Sequence, residues 1–310
     1  YVGGSFFNVN GARRLRAAAI DLATGGLLPW APNFAGPIVT LASDGSNLIA
    51  GGTFESAGGV ERLNLGAISL STGEATDWAP RADLQVDALL LAARSVYVGG
   101  NFSEAGGRPR AHIAELDLDT GAATNWNPGI TAQDYAAVFD MALDDGTLYL
   151  AGDFTHVGGF VRRGAAAIDA RTGAVSPWDP ALQGRFVTGR AVEVSGSTVY
   201  LGGSFDRAGG ALRRNLVALD AATAAALAWD PSPDYEVDAL ALDSGRLLVG
   251  GGFWSIGGAE RRCLAEVDTA TGLATGWNPR LGQSTGLPTV LSVLPDRDQI
   301  HVAGQFASIG

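Results

Sequence analysis

The sequence predicts an all-β fold, a β-propeller of four-stranded antiparallel blades, and three observations predict it. The phrase Gly/Ala-Gly-x-Phe-x-x-x-Gly recurs seven times, the first copy with Asn10 for its last Gly, with its phenylalanines at Phe6, Phe54, Phe102, Phe154, Phe205, Phe253 and Phe306 and intervals of 48, 48, 52, 51, 48 and 53 residues. A fixed period of that length marks a repeat architecture. Other residues keep constant offsets from each Phe: an arginine eight residues on (Arg14, Arg62, Arg110, Arg162, Arg213, Arg261), an acid fifteen on in five of six units (Asp21, Asp117, Asp169, Asp220, Asp268, with Ser69 the exception), and a Trp-x-Pro near the end of each unit. No unit carries a sustained 3.6-residue apolar period of helix length, whereas every unit carries several strand-like runs separated by turn residues.

The third unit shows how each element is justified. Val86-Asp87-Ala88-Leu89-Leu90-Leu91 reads as a first strand, Ala92-Ala93-Arg94-Ser95 as a turn, and Val96-Tyr97-Val98 running into Gly99-Gly100 as a second strand. The Gly-Gly-x-Phe segment, Asn101 to Gly107, reads as a loop. His112 to Asp117 alternates apolar and polar residues and closes in Asp-x-x-Thr-Gly, where the acid can bond nearby N–H groups and Gly supplies positive φ. Ala122 to Trp126 is expected as a fourth short strand, ended by Pro128, which has no N–H to donate. First strands are expected to begin near Val39, Val86, Val138, Val192, Val237 and Val290. The expectation is one domain spanning 1–310, with six blades and a partial seventh at Phe306; seven blades is the alternative. If six close a ring, the hairpin from Val290 to Phe306 joins the N-terminal strands and leaves one second strand in surplus. A β-helix fits less well, because its coils are shorter than these repeats.

The order of apolar strand, turn, Val-Tyr-Val-Gly-Gly, loop, Ala-x-x-Asp-x-x-Thr-Gly and Trp resembles the kelch repeat. More closely, Val-Gly-Gly-x-Phe-x-x-x-Gly-Gly-x-x-Arg with a following acid is similar to the delta-60 type repeats of bacterial secreted and surface proteins. The resemblance covers nearly the whole chain. It implies a propeller in an extracellular or cell-surface setting and carries no reaction and no catalytic residues. Galactose oxidase also uses a kelch-type propeller, but the Tyr, His and Tyr–Cys set of its copper site has no match in this sequence.

Composition narrows the function classes. The net charge is −11 and every one of the 21 basic residues is an arginine, which removes lysine amine chemistry and argues against a nucleic-acid partner. No apolar run approaches the roughly 18 residues of a membrane helix, so no membrane insertion is expected. The chain opens inside a repeat at Tyr1-Val2-Gly3-Gly4, without Met or a signal-peptide pattern, and is expected to start after processing or within a longer parent. The single cysteine, Cys263, is expected as a small buried thiol in a strand. His112, His156 and His301 fall at different offsets, which argues against a three-His metal site, so neither metal nor cofactor is expected. Acidic runs such as Asp144-Asp145-Gly146 and Asp296-Arg297-Asp298 read as hairpin turns rather than calcium loops.

Candidate sites are weighed against structural roles. The six arginines can bond loop carbonyls, or the acid seven residues later, and so tie each blade internally. The Trp of each Trp-x-Pro can fill the wedge between adjacent sheets. A ligand is expected instead on the end of the blades that carries the crossovers and the Phe loops. The long crossovers hold Asp134-Tyr135, Arg185-Phe186 and Gln283-Ser284-Thr285. The residue after the anchor Phe is small or polar in most units but is Phe7 in the first and Trp254 in the sixth. Phe7, Trp254, Tyr135 and Arg185 are therefore the candidate ligand-binding residues, with aromatic packing across a closure seam as the competing reading of Phe7 and Trp254. The function expected is a non-enzymatic interaction or structural module with a protein or glycan partner. The alternatives are a glycan hydrolase or lyase using carboxylates of the variable face, and a subunit that self-associates through edge strands.

Overall fold

The computed structural model describes residues 1–282, 288–297 and 299–310, and among these every regular element is a β-strand. Among the described residues no helix is long and apolar enough to cross a membrane. The expected crossover residues Gln283, Ser284 and Thr285, and the turn residue Asp298, lie outside the described residues. The chain divides into two compact units, Tyr1–Val138 and Phe139–Gly310.

In the first unit, Val2–Gly3 pairs with Ala17–Ala18, and two three-stranded antiparallel sheets follow: Ile38–Ser43, Asn47–Gly52 and Leu65–Ser69, then Val86–Leu91, Ser95–Gly100 and Ile113–Asp117. In the second unit the sheets are Ala137–Asp144 (whose first strand begins at the unit boundary), Thr147–Asp153 and Ala165–Asp169; Thr188–Ser195, Thr198–Ser204 and Leu216–Asp220; and Val237–Asp243, Arg246–Gly251 and Leu264–Asp268. A two-stranded sheet, Thr289–Asp296 with Gln299–Gln305, ends the chain. Each three-stranded sheet is one blade, numbered by its anchor Phe from second to sixth.

The middle strand is apolar past its first residue because both its faces are covered, and in Ser95–Gly100 five of six residues are buried. The anchor phenylalanines of the inner blades, among them Phe54, Phe102, Phe154 and Phe253, are fully buried, while Phe6 and Phe306 are partly exposed. Where the sequence suggested a plain loop after the Gly-Gly doublet, the chain makes a further two-residue hairpin, such as Glu104–Ala105 against Arg108–Pro109. Its turn is Gly106-Gly107 with φ of 57° and 75°, and two consecutive positive φ values are what a type I′ turn demands.

The fourth strand is smaller than expected. It is a single bridge in each blade, Ile68↔Ala75 or Leu116↔Ala123, rather than a ladder over Ala122 to Trp126. The repeat arginine explains the loss. Arg62, Arg162, Arg213 and Arg261 donate Nη2 to the carbonyls of Thr76, Ser176, Leu227 and Thr275 at 2.6–2.8 Å, fourteen residues on, and Arg110 makes the same bond to Thr124. The guanidinium occupies a carbonyl that a longer ladder would use. The arginines thus take the first of their two expected roles. The repeat acid instead closes its own turn: Asp117 Oδ1 accepts from the Thr120 N–H and hydroxyl, and that hydroxyl bond, then the N–H, hold the Asp117 carboxyl below its ordinary range.

Cys263 is buried as expected, but it precedes its strand in the left-handed region, φ 62°, and its Sγ donates to the Pro288 carbonyl at 3.1 Å. The equivalent positions, Arg16, Asn64, His112, Gly164 and Asn215, are also at positive φ. Asn64 accepts from the Phe54 N–H and donates to the Ala82 carbonyl, linking its anchor loop to the next crossover.

Candidate functional site

Two kinds of contact join consecutive blades, and they frame the site. The Trp of one blade donates Nε1 to the carbonyl of the next blade's Asp or Ser turn: Trp30 to Ser69 and Trp78 to Asp117 in the first unit, Trp178 to Asp220 and Trp229 to Asp268 in the second, all at 3.0–3.1 Å. The wedge role read from the sequence is what these rings perform. The first glycine of the doublet receives a β-branched side chain from the next first strand. A Cβ on Gly51 would lie 2.4 Å from Val86 Cγ1, and Gly3, Gly99, Gly202 and Gly250 meet Ile38, Val138, Val237 and Val290 in the same way.

The seam between the fourth and fifth blades departs from this pattern. The doublet there is Ala151-Gly152, and the residue facing it is Gly189, whose ideal Cβ would sit 3.1 Å from Ala151 Cβ and 2.2 Å from the Gly164 carbonyl. The fifth first strand accordingly begins at Thr188, four residues before the expected Val192, because Gly189-Arg190 interrupts the apolar run that marks the other strand starts.

Polar residues gather at this seam. First strands carry a bulge at their entry, between Gly189 and Ala191 and between Val237 and Ala239, and a bulge re-aims the extra residue. Those residues are Arg190 and Asp238. The Arg190 guanidinium lies 4.7 Å from the centre of the Phe139 ring on the neighbouring strand, a cation–π geometry. Its charge also moderates two carboxyls that burial pushes upward: Asp153, and Asp238, which reaches about 6 through burial and the nearby Glu236. Asp238 accepts the Thr289 hydroxyl at 3.3 Å.

Deeper in the seam, Asp140 accepts the Met141 N–H and, across the seam, the Val192 N–H, both at 2.8 Å. Burial pushes the Asp140 carboxyl up to about 6 despite these bonds. Glu193, the residue after Val192, is pushed to about 7, first by burial and then by the Asp140 charge. Sequence reasoning missed Asp140, Glu193, Arg190 and Asp238. The signal was present as departures from the repeat: positions equivalent to Asp140 hold Thr40, Ala88, Ala191, Ala239 and Ser292, and those equivalent to Glu193 hold Ala42, Leu90, Ala142, Ala241 and Leu294.

The residues singled out from the sequence sit on the surface. In the first unit, Phe7 is 57% exposed with the Arg16 guanidinium 4.3 Å from its ring centre, and Tyr135 is exposed in its crossover. In the second unit, Arg185 lies 5.3 Å over Phe186, itself 70% exposed. Trp254 is 41% exposed beneath Arg262 at 4.5 Å. The loop bearing Trp254 is held by Asp234, whose Oδ1 accepts the Trp254 and Ser255 N–H groups; burial opposes ionisation of Asp234, but these bonds keep its carboxyl below the ordinary range. Tyr235 is also exposed, its ring 3.0 Å from where a Gly252 Cβ would stand. Among the described residues no group of three or more His, Cys, Asp or Glu could hold a metal ion.

No family model matches the chain, and no curated protein is similar to it in sequence. Solved structures are similar in fold. The RRP9 WD40 repeats match 90% of this chain with 83% of their own, at 11% identity and a TM-score of 0.57. BamB from Moraxella catarrhalis matches 92% with 75% of its own, at 17% identity and a TM-score of 0.53. The Neurospora crassa Pan2 WD40 domain matches 85% with 70% of its own, at 12% identity and a TM-score of 0.53.

Proposed function

We infer a β-propeller repeat protein, because the repeated antiparallel sheets share their fold with solved WD40 structures, which are propellers. From that premise we propose that it serves as a non-enzymatic interaction module, a single domain over 1–310 with six blades, in an exported or cell-surface protein, binding a protein or glycan through the crossover ends of its blades. The carrying observation is the set of exposed aromatic residues on consecutive loops of the second unit, Phe186, Tyr235 and Trp254, each backed by local contacts that hold the ring outward. Pre-fixed aromatic rings give contact area at small entropic cost, which suits a binding surface. The kelch and delta-60 resemblance supports the exported setting.

A glycan array and a crosslinking screen against surface proteins, run with the parent and a Tyr235→Ala/Trp254→Ala variant, test this reading. Binding by the parent that the variant loses supports it; unchanged binding by the variant, or turnover of a bound glycan, overturns it. Unfolding of the chain in a single calorimetric transition supports one domain, and two separate transitions overturn that part.

A glycan-hydrolase reading gains one observation, the raised carboxyls of Asp140 and Glu193 on the first strands of neighbouring blades. It is the weaker reading because both Asp140 oxygens are already taken by backbone N–H groups. Self-association through the two-stranded C-terminal sheet predicts a concentration-dependent mass in light scattering.

A further inference from the structure

We propose that the entries of the first strands in the second unit form a ligand site centred on Arg190, which takes a small carboxylate carrying a hydrogen-bond donor, hydroxyl or ammonium, on its neighbouring carbon. The site is built at one repeat position. On four consecutive first strands, the residue that follows the buried Val or Gly at the strand start is Phe139, Arg190, Asp238 and Leu291, and each is less buried than the residue before it. Bulges between Gly189 and Ala191, Val237 and Ala239, and Val290 and Ser292 leave the last three of these residues without a ladder partner and turn them out of the packed sheet face. Thr188–Ser195 packs against Val237–Asp243, and that strand against Thr289–Asp296, so these side chains stand in a row.

Arg190 is the single cation at this position, where the other repeats hold Val39, Asp87, Phe139, Asp238 and Leu291. Its bonding also sets it apart. Arg162 and Arg213 each commit Nη1 and Nη2 to backbone carbonyls. The Arg190 guanidinium instead lies 4.7 Å from the Phe139 ring centre, donates no hydrogen bond among the described residues, and keeps its Nε buried without a partner. Stacking on one face fixes the plane of a guanidinium and leaves its N–H edges to a bidentate acceptor. A buried donor without a partner is costly, and a carboxylate on that edge removes the cost.

The neighbouring strands supply the second requirement. Asp238, at the same position on the next first strand, accepts the Thr289 hydroxyl through Oδ2 at 3.3 Å, which leaves Oδ1 for a donor. Asp153, at the end of Thr147–Asp153, is partly buried as well; burial pushes both carboxyls up, and the charge of Arg190 offsets part of that rise. A bare anion would be drawn to Arg190 and repelled by Asp238. A carboxylate with a hydroxyl or ammonium beside it answers both, as acceptor to Arg190 and donor to Asp238. The site lies on strand entries rather than on the loops of Phe186, Tyr235 and Trp254, and so goes beyond the interaction reading.

Propionate, lactate and the free amino acid alanine differ in the group beside the carboxylate, and the test titrates each against the full chain at about pH 7.5 with binding read from the amide shifts of Gly189, Arg190 and Ala191. Lactate or alanine is expected to bind at least about tenfold tighter than propionate, and the tighter of the two names the source, a hydroxy acid or an amino acid. Arg190→Gln is expected to weaken that ligand at least about tenfold, Arg190→Lys, which keeps the charge but loses the fork, several-fold, and Asp238→Asn is expected to bring it within about twofold of propionate. Tyr235→Ala/Trp254→Ala is expected to bind it as the parent does; a loss there equal to that of Arg190→Gln moves the binding to the loops and overturns the proposal. Equal binding of the three acids by the parent, no shift with any of them, or unchanged binding by Arg190→Gln also overturns it. Should Arg190→Gln fail to fold, Arg190→Lys and Asp238→Asn decide, and parent-like binding by both refutes the site.

Discussion

The seam between the second and third blades and the seam between the fourth and fifth come from one repeat, yet different forces close them. In the former, Gly51 leaves a space that Val86 fills, and Asn64 ties its anchor loop to the Ala82 carbonyl. In the latter, Ala151 faces Gly189, Gly164 stands where Asn64 stood, and Asp140 bridges to Val192 through a carboxylate. What the two share is the frame: the anchor Phe, the tethering arginine, and a Trp bonded to the next turn at 3.1 Å, Trp78 to Asp117 and Trp178 to Asp220. The lesson is that the frame positions are set by the repeat, whereas the inner face of the first strand is free to specialise.

If the frame is common, removing an anchor should hurt both regions alike. Phe102→Ala and Phe154→Ala each delete a fully buried ring and are expected to cost about 3–5 kcal/mol in urea unfolding. A loss under about 1 kcal/mol at either site would show that its ring is not core and would break the comparison at its foundation.

Packing at the seams should then separate them. Gly51→Ala pushes a methyl toward Val86 Cγ1 at 2.4 Å and is expected to destabilise by about 1–3 kcal/mol, with much of the loss recovered when Val86→Gly is added. Ala151→Gly removes one buried methyl from beside Gly189 and is expected to cost about 1 kcal/mol. Additive losses in the Gly51/Val86 double variant would show that the two residues do not share one space.

These contrasts mark how far the sequence could be read. The repeat period, the Phe anchors and the Trp wedges were legible because each role is played in every blade, so chance is excluded by recurrence. The arginine's choice of a carbonyl over the acid was not, since both partners lie at reachable offsets and only the geometry separates them. The strand at Thr188 was misplaced at Val192 because the glycine that breaks the apolar run is itself the adaptation of that seam. Asp140 and Glu193 escaped notice for a related reason: a carboxyl in a strand reads as a solvent-facing residue unless its counterparts in the other blades, all neutral, are compared with it. The exposed candidates Phe7, Tyr135, Arg185 and Trp254 are found at the surface.

A smaller effect separates the two kinds of carboxylate by pH. The turn acids Asp21, Asp117, Asp169, Asp220 and Asp268 are held below the ordinary range, first by the hydroxyl of the threonine three residues on. A depressed folded value gives stability that is present above the unfolded pKa near 4 and lost as pH falls below it. The seam carboxyls act with the opposite sign at higher pH. Thermal stability is therefore expected to peak between about pH 4 and 6 and to fall on both sides, and a Thr120→Val variant should weaken only the acid limb. A melting temperature that is flat from pH 3 to pH 5 would contradict the turn assignment.

The smallest effect on stability belongs to the surface that the interaction reading depends on. Trp254 keeps two-fifths of its surface exposed, and its support is a guanidinium stacked at 4.5 Å plus a loop that Asp234 holds through backbone N–H groups, which do not need the indole. Trp254→Ala is thus expected to change unfolding free energy by no more than about 1 kcal/mol, the scale of an exposed cation–π contact. Phe7→Ala, under Arg16 in the first unit, should behave the same way. Chemical denaturation of both variants checks this. A cost near that of Phe154→Ala would mean that these rings are packing elements after all, and the crossover end would lose its claim to be a binding surface; a small cost leaves the chain with aromatic rings that its own fold does not require.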